Sequence, residues 1–278
     1  MIRSTTNWAL ASAAATIVML GAAQASAYDH VDAAREFILY SANNSPTDAD
    51  DNQWATPCEI DWSIYSGSTK GACFFTLSLR HAHGYEGADL VGMWGSTAPP
   101  SGDSDPLKAD FFSLINASPV VGSSSTPSPE TYFRRVTTAA QVARGDLMVI
   151  GTTDSYVGHT MMITGPAVEI APQKSPTYWG TQQWAVSIAD STSTAHGCNS
   201  VYPDSRWRGS CVNGAMFSGA GTATIRLYTD LLTGELLGYT WSVTPSSYYS
   251  PTMRPYRIGR LTNLPAPLPP PTDPPPPP

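Results

Sequence analysis

Apolar residues fall at helical spacing in the first half of the chain and in short β-rich runs in the second. Val31 to Tyr40 carries such spacing, with Asp29 placed to cap it and no breaker before Asn43, Asn44, Ser45 and Pro46, which predicts a first helix. A polar loop through Asp48, Asp50 and Asp51 follows. Its acids lack the glycine and distal glutamate of an EF-hand loop, so no calcium site is expected there. From Lys70 to Arg80, Phe74 with Leu77 and Phe75 with Leu79 again recur at helical spacing, predicting a second helix whose first turn holds Cys73. His81 and His83 end it. Two residues apart, they point to different sides, which reads as solvated C-terminal histidines rather than a shared metal site.

Between Tyr85 and Pro129 the chain is punctuated by Gly, Pro, Ser and Asp. One short helix is predicted at Lys108 to Ile115, and the rest reads as surface elaboration, with Trp94 the candidate for a cleft wall. The runs Asp146–Ile150, His159–Thr164, Gln183–Ala189, Thr222–Tyr228 and Leu237–Val243 are β-rich and separated by turn residues. Helices followed by strands predict an α+β domain, with N-terminal helices packed on a twisted, mainly antiparallel sheet.

The two ends change the picture of where this domain works. Arg3, an apolar run from Trp8 to Ala23 and the small-x-small pattern Ala25-Ser26-Ala27 read as a signal peptide over 1–27. The stretch 264–278 is nearly all proline and reads as an extended spacer. The domain itself is expected over 28–263, exported to the cell envelope or beyond, monomeric, and free of membrane once the leader is removed. A net charge of −7 with 13% charged residues excludes the basic stripe that nucleic acid requires. Four cysteines in an exported chain ordinarily make two disulfides. Cys198 and Cys211 bracket a short polar loop and read as a local staple. Cys58 and Cys73 either close a second loop or leave Cys73 free, and the two crossed pairings of the four cysteines stay open as well.

A free Cys73 would have chemical consequences. Helix N-terminal amides and the dipole favour thiolate, the form that attacks carbonyl carbon. Gly158-His159 opens a strand from which an imidazole can reach toward a packed helix, and the following strand ends Val186-Ser187-Ile188-Ala189-Asp190, supplying a carboxylate. In the loop before the helix, Ser68 and Thr69 are candidates for the oxyanion wall.

The run Ala143-Arg144-Gly145-Asp146 feeding one strand, then Gly158-His159 opening the next, resembles the NlpC-type peptidoglycan peptidases of the papain-like group. So does the order Cys73, His159, Asp190, and so does the aromatic loop Trp62 to Gly67 leading to the cysteine. The resemblance spans roughly 31–192. It departs at the cysteine, where the family has an acid before and Ser-Gly after, against Ala72 and Phe74-Phe75 here.

The resemblance implies a papain-like fold and an amide hydrolase acting on cell-wall peptide without cofactor or metal. Cys73 would be the nucleophile, with its own backbone N–H as an oxyanion donor. His159 would be the base that later protonates the leaving amine, and Asp190 would orient His159. Two substitutions within this scheme stay open. His196 could serve as base, and Cys58 as nucleophile, although Glu59 and Asp61 surround that thiol with charge that raises its pKa. Two other functions stay open as well: an acyltransferase using the same thioester, and a non-enzymatic wall-binding protein in which both disulfides are structural.

Overall fold

The computed structural model describes residues 29–44, 51–84, 90, 93, 108–124, 132–209 and 214–263. The 1–27 stretch read as a signal peptide, the proline-rich 264–278 stretch, Trp94 and Cys211 lie outside the described residues. Helix α1 spans Asp29–Asn44 and buries Val31, Ala34, Phe37 and Ile38, the stripe that spacing predicts. Three short strands follow, β1 (Asn52–Gln53), β2 (Glu59–Asp61) and β3 (Ser66–Ser68). They form a small sheet in which β3 lies between the other two, parallel to β1 and antiparallel to β2. Asn52 pins it to the body of the molecule through paired bonds to the Ala220 backbone, 2.7 and 2.8 Å.

Helix α2 spans Gly71–His83 and stops where Gly84 turns into the left-handed region at φ 67°, its N–H donating to the Arg80 carbonyl. Gly71, Phe74, Phe75, Ser78 and Leu79 form its buried stripe, while Cys73, Leu77 and Arg80 form a half-exposed one. Helix α3 covers Lys108–Ala117.

The remaining strands are β4 (Phe133–Val136), β5 (Asp146–Ile150), β6 (His159–Ile163), β7 (Val168–Glu169), β8 (Thr181–Thr192), β9 (Trp207–Arg208), β10 (Ala215–Met216), β11 (Gly219–Asp230), β12 (Leu236–Thr240), β13 (Tyr248–Tyr249) and β14 (Tyr256–Leu261). Apart from the β9–β10 hairpin they make one nine-stranded sheet, ordered β13-β12-β11-β8-β6-β5-β14-β4 with β7 beside β8, and every pairing in it is antiparallel. The α+β architecture expected from the sequence is therefore present. Among the described residues no helix is long and apolar enough to cross a membrane.

Alternation along the central strands divides the core. Leu147, Val149, Met162 and Ala189 face Phe37, Phe74, Phe75 and Phe111 of the helices. Met148, Ile150, Met161, Ile163, Val186 and Ile188 face the other way, against Ile225, Leu227, Tyr239 and Ile258. Strand β8 runs through Thr192 rather than ending near Ala189, because its pairing with β11 continues through Asp190↔Gly221 to Thr192↔Gly219. Asp190 thus projects from within a strand, buried, and not from its frayed end.

Candidate functional site

Helix α2 packs on α1, β6 and β8, so its first turn comes down on the two strands that carry His159 and Asp190. Thr69, two residues before the helix, is buried; its hydroxyl donates to Ser191 Oγ at 2.8 Å and Ser191 Oγ donates back to the Thr69 carbonyl at 2.9 Å. The turn entering α2 is thereby fixed to the residue beside Asp190. Both hydroxyls expected in the oxyanion wall are committed elsewhere, Thr69 to Ser191 and Ser68 to the Pro57 carbonyl.

His159 and Asp190 meet as the sequence predicts: Nε2 lies 2.5 Å from Asp190 Oδ2. The His159 side chain is 10% exposed and the carboxylate is fully enclosed. Burial depresses the His159 pKa more than Asp190 raises it, so the ring is neutral at pH 7. A neutral ring that donates from Nε2 has its lone pair on Nδ1, which is the arrangement of a general base. Burial alone would raise the Asp190 pKa. The charges of Arg206 and His196 and the hydrogen bonds from both histidines outweigh it and hold the group well below the ordinary carboxylate range.

His196 approaches the same oxygen from the other side, Nε2 to Asp190 Oδ2 at 2.9 Å, while its Nδ1 lies 2.7 Å from the Trp241 carbonyl. A carboxylate and a carbonyl both only accept, so each ring nitrogen faces an acceptor and the imidazole is held between them. The Trp241 indole stacks on His196 at 4.0 Å and presents to His159 at 5.1 Å, forming an aromatic wall. Arg206 reaches Asp190 Oδ1 and donates to its carbonyl at 2.6 Å. Its other nitrogen bridges Asp204, whose Oδ2 also accepts the His196 N–H at 2.8 Å. Gly221, the β11 partner of Asp190, admits this guanidinium: a Cβ there would stand 2.8 Å from Arg206 Cγ.

Two carboxylates, Asp190 and Asp204, therefore meet the Arg206 guanidinium and the His196 imidazole in a buried cluster. The ligand atoms of His159, Asp190 and His196 lie within 4.8 Å of one another, a set of the type that binds divalent metals. Here Arg206 and the two imidazoles already occupy the Asp190 carboxylate, and a metal would have to displace both ring contacts beside a fixed guanidinium.

The expected nucleophile is not a free thiol. Cys73 is bonded to Cys58, with Cα atoms 6.3 Å apart, and among the described residues no cysteine is free. Cys198 is disulfide-bonded as well. The Cys58–Cys73 link ties the small sheet to the half-exposed stripe of α2. The residue of α2 that faces His159 is Gly71, where a Cβ would stand 3.2 Å from His159 Cε1, 3.1 Å from the Thr160 nitrogen and 2.9 Å from the Thr160 carbonyl oxygen. Cys73, two positions later, is about 200° further around the helix.

The chain thus brings His159 and Asp190 together and leaves Cys73 aside. His196, expected only as a substitute base, braces the carboxylate. Arg206, Asp204 and Trp241 went unread in the sequence. The signal available for the first two was Asp204-x-Arg206 in a loop following Ala195-His196-Gly197, a concentration of polar residues next to the carboxylate strand. Comparison with protein-family models, with curated proteins and with solved structures finds no match.

Proposed function

We propose that this chain is an exported protein of papain-like type that recognises an amide-bearing ligand, cell-wall peptide foremost, at the His159–Asp190 centre, and that in its disulfide-closed form it binds without cleaving. The observation that carries this reading is a neutral, carboxylate-oriented imidazole set against a helix N-terminus whose own cysteine is closed in a disulfide. A carbonyl oxygen of the ligand would lie toward the first-turn amides of α2, which lack intrahelical acceptors, and an amide N–H would lie toward His159 Nδ1. Trp241 would supply the apolar wall. The leader over 1–27 would export the chain and the 264–278 stretch would act as a spacer.

Unreduced protein mixed with purified peptidoglycan sacculi is expected to co-sediment with them and to release no soluble muropeptides. His159→Ala should lower the sedimented fraction several-fold. Protein that stays wholly in the supernatant would remove the reading.

A second reading has one observation in its favour, the location of Cys73 within the first turn of α2. In it, reduction of Cys58–Cys73 frees the thiol for a Cys73–His159–Asp190 amide hydrolase, or for an acyltransferase if an amine rather than water accepts the acyl group. Muropeptide release that appears on adding reductant, and disappears in Cys73→Ala, would establish it.

A further inference from the structure

We infer that the cavity where the end of β4 and the start of β14 meet the turn before β12 is a second ligand site, built for a small zwitterion of the α-amino-acid type. The ligand's carboxylate would lie on Arg135 and Arg257 and its ammonium on Glu235. The site shares no residue with the His159–Asp190 centre, and the inference does not rest on the reading of that centre.

The cavity measures about 230 Å³, and Arg135, Arg257 and Glu235 all line it. Pockets for drug-sized ligands run from about 300 to 1,000 Å³, so this one suits a smaller molecule. Strand pairing brings the two cations together. Arg135 lies opposite Gly259 and Val136 opposite Ile258, which sets Arg257 diagonally from Arg135 on the same face of adjacent strands. One residue near the end of α3 anchors both: Arg135 Nη1 donates to the Asn116 carbonyl at 3.2 Å, and Arg257 Nε donates to Asn116 Oδ1 at 2.7 Å. Arg257 Nη1 also donates to the Tyr256 carbonyl at 2.8 Å.

All these acceptors are neutral. Among the described residues neither guanidinium is in an ion pair, and neither is Glu235, although the chain carries a net charge of −7. Burial first, and the charge of Arg135 second, lower the Arg257 pKa, a repulsion that a bound anion relieves. Donors are left over as well. Arg135 Nε is enclosed without a hydrogen-bond partner, and so is the hydroxyl of Tyr256, a cavity-lining residue that is 4% exposed. Buried polar groups are nearly always paired in folded proteins, so these orphans beside two guanidinium groups mark a place for acceptor oxygens.

The acid decides which anion fits. Glu235 shares the cavity with the two arginines without touching either, which leaves the space between them for a ligand that carries both charges. It repels a phosphate dianion and attracts an ammonium. Val136, Leu236 and Ile258 add an apolar wall against which a short side chain can pack.

Ligand-observed NMR titration of the full chain with alanine, propionate, ethylamine and inorganic phosphate tests the assignment. Alanine should bind at least ~tenfold more tightly than propionate or ethylamine, each of which keeps only one of its charges. Arg135→Gln should weaken alanine about tenfold. Glu235 is exposed, so Glu235→Gln should fold as the parent does; it should abolish the advantage of alanine over propionate. Should Arg135→Gln fail to fold, the comparison of probes in the parent and in Glu235→Gln decides. No binding of alanine, phosphate binding more tightly than alanine, or an alanine preference that survives Glu235→Gln overturns the inference.

Discussion

His159 and His196 donate to the same oxygen of the same carboxylate, yet they are different devices. His196 has both nitrogens committed, to Asp190 and to the Trp241 carbonyl, and its ring is covered by the Trp241 indole. His159 commits one nitrogen to Asp190, keeps a side chain that is 10% exposed, and faces the α2 first turn with Cε1. The pairing with Asp190 is common to both, so it cannot assign a role. What the second nitrogen meets does: a ring held between two acceptors makes a brace, and a ring with one nitrogen uncommitted has the form of a base.

The strongest way to break that comparison is to remove what both histidines depend on. Arg206→Ala leaves Asp190 and Asp204 buried without their guanidinium, and breaking a buried pair in this way costs about 3–5 kcal/mol. For a domain of this size that lowers the melting temperature by roughly 10 °C, read by calorimetry or circular dichroism. A shift of a degree or two would mean that water reaches the cluster.

A third histidine supplies a contrast with pH. His30 is fully buried beside Phe75; desolvation first, then the charge of His83, lower its pKa to about 4. The folded state therefore holds the ring neutral while the unfolded chain protonates near pH 6.5. Stability is complete above that value and declines as pH falls toward 4, by on the order of 3 kcal/mol in total. Arg144 adds to the depression and Asp32 opposes it. His30→Phe should flatten the melting-temperature profile between about pH 6.5 and 4, and an unchanged slope would assign the acid sensitivity elsewhere.

His196→Ala removes a brace, exposing the Trp241 carbonyl and one side of Asp190 to a cavity, and should cost about 2 kcal/mol. His159→Ala should cost less than ~1 kcal/mol, because Asp190 keeps Arg206 and His196. The sharpening measurement is the ratio of stability loss to loss of sacculus binding in the two variants. A brace loses stability first and a base loses binding first; equal ratios would erase the distinction.

Much of this arrangement was legible in the sequence. Helical spacing located α1, α2 and α3, and β-rich runs located the central strands, because those elements each bury one or two clean apolar faces. The strands β4 and β14 escaped. Phe133-Arg134-Arg135-Val136 and Tyr256-Arg257-Ile258-Gly259-Arg260-Leu261 interleave arginines with apolar residues, so neither reads as a sheet strand until β14 is seen to pair with β5 and β4 with β14. His159 and Asp190 were legible because a glycine-histidine pair and a carboxylate fall on consecutive apolar strands. The face on which Cys73 lies was not read, although the same spacing that predicts the helix sets Phe74, Phe75 and Leu79 on one stripe and leaves Cys73 off it. Chemistry attracted attention to the only sulfur in the helix, while the informative residue was the one with no side chain.

The close approach at Gly71 makes one glycine a joint between two layers. A Cβ there would stand 2.9 Å from the Thr160 carbonyl oxygen and 3.1 Å from the Thr160 nitrogen, so helix and sheet meet backbone to backbone, and any side chain at this position has to push α2 off the strand that carries His159.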